Sequence, residues 1–316
     1  MKKLLLIPII AGGVLLVVGA SIFAVALANN NSSSKIVNNT HEINDSFSNI
    51  NIDLSTADLT FKVASDGQKK VELQEKEKEY HVVEVKDNTL NITYHDERKW
   101  HEKIFSFDWK PMKVDVYLPS AEYGDLKIES ATGKVNIGQD FSFANFEVKV
   151  STGDVTVSSS VTNSVNLKAS TGDIIYKDAS CKELTVKAST GHIDVKNVTV
   201  NGNVDLSAST GYIKVENTTF ADINIKASTG DVTLTNAVGS GKMTIKTSTG
   251  DVRFNDADAA ELDIKTDTGF VKGTLLTSKQ FSCKTDTGKI NIPEWSTGGH
   301  CRIETDTGDI NITIKN

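Results

Sequence analysis

The sequence predicts an all-β chain: a parallel β-solenoid of about ten coils of 19–20 residues, extended by irregular N-terminal coils with an inserted hairpin and preceded by one transmembrane helix. Three observations predict this. Thr-Gly recurs with glycines at 133, 153, 172, 191, 211, 230, 250, 269, 288 and 308, and a period held that tightly marks stacked repeats. Apolar residues keep fixed slots around each glycine: seven before it from Leu126 to Cys301, five before it from Ile128 to Ile303, and Val or Ile two after it from Val135 to Ile310. No segment after residue 40 carries apolar residues at helical spacing for three turns.

The chain opens with Lys2 and Lys3 before an uncharged run from Leu4 to Ala28. Such a run suffices to span about 30 Å of hydrocarbon, and the preceding positive charge places the N-terminus in the cytoplasm and the rest outside. Residues 1–28 are therefore expected to form a transmembrane anchor, with the cell membrane as partner. The rival reading is a cleaved signal peptide, since Ala26-Leu27-Ala28 looks like a cleavage site. Both readings export the chain. Residues 29–42, rich in Asn and Ser at their start, are expected to be a polar linker.

Residues 43–125 read as N-terminal coils of the same solenoid. Ile50, Ile52 and Leu54, then Ser55-Thr56-Ala57-Asp58, then Leu59 and Phe61 reproduce one unit with alanine in the glycine slot. His81 to Tyr94 reads as a hairpin, with Val83 and Val85 facing Leu90 and Ile92 across Asp87-Asn88. A charged loop from Asp96 to Lys103 and an alternating strand through Phe105, Phe107 and Trp109 follow. Val114 to Pro119 leads into the array, and the section is expected to cap the hydrophobic end.

Residues 126–316 are the regular repeats. In Val165-Asn166-Leu167-Lys168-Ala169 the apolar period is two, as in a strand with one buried face. The alternation slips at Gly172-Asp173 and resumes at Ile174 and Tyr176, so the glycine marks a corner. A polar linker such as Lys177 to Glu183 is expected to return as a loose loop. Val135, Val155, Ile174, Ile193 and Ile213 should share one inward column.

Stacking turns a repeated residue into a ladder. Four before the glycine stand Lys149, Lys168 and Lys187, then Lys226, Lys246, Lys265 and Lys284. The second run is expected to line one outward face, a stripe suited to an anionic wall polymer; the same stems would also cover sheet surface and discourage lateral aggregation. Two before the glycine, serines from Ser151 to Ser248 give way to Asp267, Asp286 and Asp306. These are expected to accept backbone amides at the corner, with calcium as the weaker reading. The invariant threonines are read as a second hydroxyl ladder. Trp100, Phe105, Phe107 and Trp109 would form either an aromatic platform for a glycan or lipid, or a cap on the first coil. The cluster His95-Asp96-Glu97 with His101-Glu102 fits no strong zinc spacing and reads as a solvated loop.

Three cysteines make no disulfide framework. Cys283 and Cys301 occupy inward slots on successive coils but on different columns, so they are read as reduced core fillers. A net charge of −7 excludes a globally basic nucleic-acid binder, and no nucleotide or nucleophile motif calls for a cofactor. The array holds only Arg253, Arg302, His192 and His300 as further candidates, on separate coils. That dispersion argues against the alternative of a β-helical polysaccharide-acting enzyme.

The motif Leu167-Lys168-Ala169-Ser170-Thr171-Gly172-Asp173-Ile174, with the lead-in Val116-Tyr117-Leu118-Pro119, resembles the putative-adhesin family, a bacterial cell-envelope domain of unknown function. The resemblance spans about residues 40–316. It implies a solenoid fold, one N-terminal membrane segment and, for some members, company with envelope-stress proteins in Gram-positive bacteria. It brings no catalytic residues. The expected role is thus a non-enzymatic extracytoplasmic module for adhesion, or for binding a wall polymer, a glycan or an envelope partner.

Overall fold

The computed structural model describes residues 35–100, 112–294 and 297–315. The expected anchor at 1–28 and the start of the linker lie outside these residues. Among the described residues, no helix is long and apolar enough to cross a membrane.

The described residues are all β, with every named strand in one wrapped sheet. Each coil carries a long strand ending at Thr-Gly and a second strand beginning two residues later, and each pairs in parallel with its equivalents in neighbouring coils. Val135, Val155, Ile174, Ile193 and Ile213 stand in one register column, all buried. Each such side chain contributes about 1.5–3 kcal/mol by leaving water, and the ladder joins these contributions into one continuous core.

The corner explains the glycine. At Gly211 φ is +136°, a region nearly closed to residues with a Cβ. A Cβ there would also collide with the backbone carbonyl oxygen of Gly191 in the adjacent coil. The return segment is more ordered than a loose loop. Asn197, Asn217 and Asn236 adopt positive φ of 54°, 46° and 50°, a conformation Asn tolerates. Their amides form a ladder: Asn197 Nδ2 donates to Asp178 Oδ1 at 2.7 Å, Asn217 Nδ2 to Asn197 Oδ1 at 2.9 Å, and Asn236 Nδ2 to Asn217 Oδ1 at 3.0 Å. This second corner turns the chain into a short third strand in several coils, as at Thr219–Phe220, which pairs with Val238–Gly239.

Among the described residues, the N-terminal section holds six strands: β1 (Ile36–Glu42), β2 (Asn49–Val63), β3 (Lys70–Lys76), β4 (Glu79–Lys86), β5 (Thr89–Asp96) and β6 (Met112–Leu118). The hairpin forms as expected from β4 and β5, with Val83 opposite Ile92 and Val85 opposite Leu90. β1 corrects the linker: residues 36–42 pair antiparallel with β3. β2 is the expected alanine coil, with Ile50 beside Leu126 and Leu59 beside Val135.

Chain order and stacking order part company at both ends. β2 lies between β5 and β6 on one side and the Gly133 coil on the other, so the chain builds its second layer before its outer one. At the far end the Gly269 coil pairs with the Gly308 coil, and the Gly288 coil lies outside that. The order there is Gly250, Gly269, Gly308, Gly288. The segment that climbs past the missing layer is held by a buried ion pair: Lys279 Nζ meets Asp258 Oδ1 at 2.7 Å. The other Asp258 oxygen accepts the Thr277 amide and hydroxyl, each at 2.7 Å.

Candidate functional site

The lysine slot forms one outward column, but the inserted Gly308 coil changes its membership. In spatial order it reads Asp53, Glu129, Lys149, Lys168, Lys187, Ser207, Lys226, Lys246, Lys265, Glu304, Lys284. Lys226, Lys246 and Lys265 are contiguous as expected. Lys284 is not their neighbour, because Glu304 stands between Lys265 and Lys284. The two lysine runs are instead joined through Ser207 into one band.

Electrostatics divide the band further. Lys149 pairs with Glu147 at 2.8 Å and Glu129 at 3.6 Å, and the hydrogen bond it donates to Glu147 raises its pKa. Lys284 pairs with Asp286 at 3.1 Å, which raises its pKa likewise. Lys265 lies 4.0 Å from Asp267. Among the described residues, Lys168, Lys187, Lys226 and Lys246 form no ion pair. These four span five layers, or about 19 Å at ~4.8 Å per layer. Like charges at that spacing repel by about 1 kcal/mol in water, so the middle of the column is an unneutralised cationic strip. Beside its N-terminal half runs an open groove of ≈ 560 Å³, bounded by Lys149, Lys168 and Lys187 on one side and Ser151, Ser170 and Ser189 on the other, with Asp53 and Glu129 at its end.

The corner hydrogen bonds are not where the sequence reading put them. The serines two before the glycine and the threonines one before it are exposed. The amide acceptor is the side chain one after the glycine: Asp154 takes the Asp173 amide at 3.2 Å, Asp173 the His192 amide at 2.8 Å, and Asp231 the Asp251 amide at 2.9 Å. Where that slot holds histidine the ladder continues, with His192 Nδ1 accepting the Tyr212 amide at 3.1 Å. In the second half of the array, buried threonine three before the glycine adds a hydroxyl, as Thr266 Oγ1 donates to the Gly250 carbonyl at 3.2 Å. Asp267, Asp306 and Asp286 do stack in that order. Among the described residues, no three His, Cys, Asp or Glu side chains converge as a metal site.

The side chains an enzyme would draw on have structural partners. Arg253 bridges Asp231 and Asp251, both at 2.5 Å. Burial raises the Asp231 carboxyl, but the Arg253 guanidinium and the Asp251 amide outweigh it and hold the group below the usual carboxylate range. Arg302 lies on Glu304 at 2.6 Å, and His192 stacks on Tyr212 with ring centroids 3.7 Å apart. Burial pushes the Cys181 and Cys301 thiols up to about 12, far from nucleophilic, and the three cysteines are free.

Of the aromatic loop, Trp100 is 72% exposed, while Phe105, Phe107 and Trp109 lie outside the described residues, as do His101 and Glu102. Of the acidic cluster, Asp96 holds Arg98 at 2.9 Å and Glu97 accepts the Tyr80 hydroxyl at 2.9 Å. The sequence reading missed a buried polar knot in the cap. His81 Nδ1 lies 2.9 Å from Glu75 Oε1, Asn39 Nδ2 donates to Glu75 at 3.0 Å, and Glu79 gathers Lys76, Tyr94 and Arg98. It ties β1, β3, β4 and β5 together.

No curated protein matches the sequence. A structure named "putative adhesin" from Parabacteroides distasonis superposes with TM-score 0.50 at 14% identity, over 87% of this chain and 98% of that one. A "putative lipid binding protein" from the same species is 19% identical with TM-score 0.49, over 87% and 96%. A third, a "putative adhesin" from Bacteroides fragilis, is 14% identical with TM-score 0.43, over 89% and 98%. At such identity the likeness is one of fold. The family assignment rests on the sequence itself, matched over residues 47–221 and again over 201–316: the chain belongs to the Toastrack DUF4097 family, a domain family of unknown function.

Proposed function

We propose that this chain is a non-enzymatic binding module of the cell envelope. Residues 4–28 tether it to the membrane with the solenoid outside the cell, and its cationic strip takes an anionic wall or membrane polymer. One observation carries the reading: Lys168, Lys187, Lys226 and Lys246 stand unneutralised in one column of a protein whose net charge is −7. A chain selected only for solubility needs no such segregation. A rigid ladder of cations suits a ligand that repeats its own negative charge.

The test is binding of the full chain, in mild detergent, to anionic cell-wall preparations across a salt series. Screening shortens the reach of exposed charge to about 8 Å at 0.15 M, so binding should weaken steeply with salt. Replacing Lys168, Lys187, Lys226 and Lys246 together by Gln should abolish binding; at about 1 kcal/mol per lysine at an anionic surface the loss is roughly a thousandfold. Thermal stability should change little, because exposed charges contribute little to folding. Lys284→Gln alone should leave binding intact, since that lysine already has Asp286. Unchanged binding by the quadruple variant would reduce the strip to a solubility device.

A further inference from the structure

The C-terminal end of the stack is an unfinished sheet. Among the described residues, the strand Lys279–Thr287 pairs only with Gly299–Thr307, and Ile290–Asn291 only with Ile310–Ile314. Their outer edges carry backbone N–H and C=O groups with no strand to receive them. The core slots are unfinished too. Phe281 and Cys283 are half-buried and Ile290 is 44% exposed, whereas their neighbours Cys301, Ile303 and Ile310 are buried.

We propose that this end is a dimer interface, filled by the same end of a second copy, with the two Lys279–Thr287 strands paired antiparallel about Cys283. Three features select this occupant. The opposite end of the rod finishes in antiparallel β1, β3 and β4, whose edges do not repeat the open parallel coil, so that coil meets its like only on a second copy, and end-to-end contact of two such ends closes as a two-fold dimer. A register centred on Cys283 pairs all nine residues of the strand, and centring it elsewhere leaves some unpaired. That register also opposes no like charges: Gln280 faces Asp286 and Ser282 faces Lys284, each a donor against an acceptor. Phe281 then lies across from Thr285 on the core side, and the two half-exposed cysteines face one another.

Cysteine chemistry tests both the dimer and its register. Cys181 and Cys301 are buried, which leaves Cys283 as the accessible thiol. Full-length chain in detergent, treated with copper(II)-phenanthroline in air, should give a disulfide-linked dimer. The two thiols lose two protons and two electrons, and oxygen accepts the electrons through copper. Cys283→Ser should abolish the crosslink, and neither Cys283→Ser/Phe281→Cys nor Cys283→Ser/Thr285→Cys should restore it, because those positions face each other and not themselves. Sedimentation equilibrium on the unmodified chain should show a dimer that Phe281→Lys converts to monomer. A monomer at 100 µM, or a crosslink that follows Thr285→Cys in place of Cys283, would overturn the proposal.

Discussion

At the N-terminal end, the outer parallel layer of β5 and β6 is itself covered, β6 by antiparallel β3 and β5 by antiparallel β4. Its inward side chains Leu90, Ile92, Val114 and Val116 are fully buried. At the C-terminal end, no described strand lies beyond the outer layer and its core side chains reach solvent. Yet both ends share one device. In each, the parallel coil nearest the chain terminus is drawn inward to become the penultimate layer, the β2 coil at one end and the Gly308 coil at the other, although at the N-terminal end β1 precedes that coil and lies outside it against β3. A terminal strand laid on the outside could peel away by losing one ladder, whereas a strand drawn inward must lose two. Tucking the terminus protects against fraying; it does not close the sheet. Closure takes antiparallel strands, and only the N-terminal end has them.

The largest effect that would test this contrast comes from the glycine corner. Gly211→Ala meets both the positive φ of 136° and the Gly191 carbonyl. Backbone strain of about 1–3 kcal/mol and overpacking of similar size sum to roughly 4 kcal/mol. Gly288→Ala faces the Gly308 carbonyl in the same way, but its layer is free on the other side and can lift away. In the monomer, at concentrations too low for the end to be covered, it should cost roughly 1 kcal/mol, on the overpacking scale alone. Urea unfolding of the two variants checks the ratio. Equal losses would mean that the open end is covered in solution, as a dimer would cover it.

Much of this was legible in the sequence, and the limits have physical causes. The inward columns, the β4–β5 hairpin and Ala57 in the glycine slot all follow from period and turn chemistry. Stacking order does not follow, because parallel layers are self-similar: a coil offers the same apolar columns to either neighbour. The glycine interval stays at 19 or 20 through the exchange of the Gly288 and Gly308 coils, so spacing gave no sign of it. The one available signal was Glu304 breaking the lysine slot, which makes sense only beside Lys265 and Lys284. The Asn ladder was readable, since Asp178, Asn197, Asn217, Asn236 and Asp256 all stand six after a glycine. The corner acceptors were misplaced because Ser and Asp before the glycine and Asp after it are equally able to cap a turn. Only the direction of the chain through the corner decides between them.

The next effect probes the climb past the missing layer. Asp258 accepts from Lys279, Thr277 and the Ala259 amide, whereas among the described residues the Lys279 ammonium has only Asp258 and the Thr277 hydroxyl, the latter at 2.6 Å. Removing one partner of a buried pair costs about 3–5 kcal/mol. Asp258→Ala strands an ammonium and should lie toward the middle of that range, no larger than the Gly211→Ala loss. Lys279→Met leaves a carboxylate with several donors and should fall at or below the lower end of the range. Hydrogen exchange should show the loss confined to residues 279–314, with the central coils unchanged. Uniform loss along the rod would mean that the end layers do not open as a separate unit.

The smallest effect belongs to the closed end and depends on acid. Burial raises the Glu75 carboxyl, but the His81 ring, the Asn39 amide and the His81 backbone amide outweigh it, so its pKa lies below the ordinary value. A depressed carboxylate stabilises the fold fully above its unfolded pKa of about 4.3, and that contribution drains away as pH falls through the lower folded value. The cap should therefore hold at neutral pH and loosen below about pH 4. Glu75→Gln keeps the shape but cannot titrate. It should be less stable than the parent at pH 7, with the difference shrinking toward pH 3, as measured by urea unfolding at each pH. The buried Asp258–Lys279 pair at the C-terminal end lies far from Glu75 along the stack, so exchange at residues 279–291 should be the same in parent and variant at every pH. A variant that loosens both ends together would show that the cap and the open end are coupled through the stack.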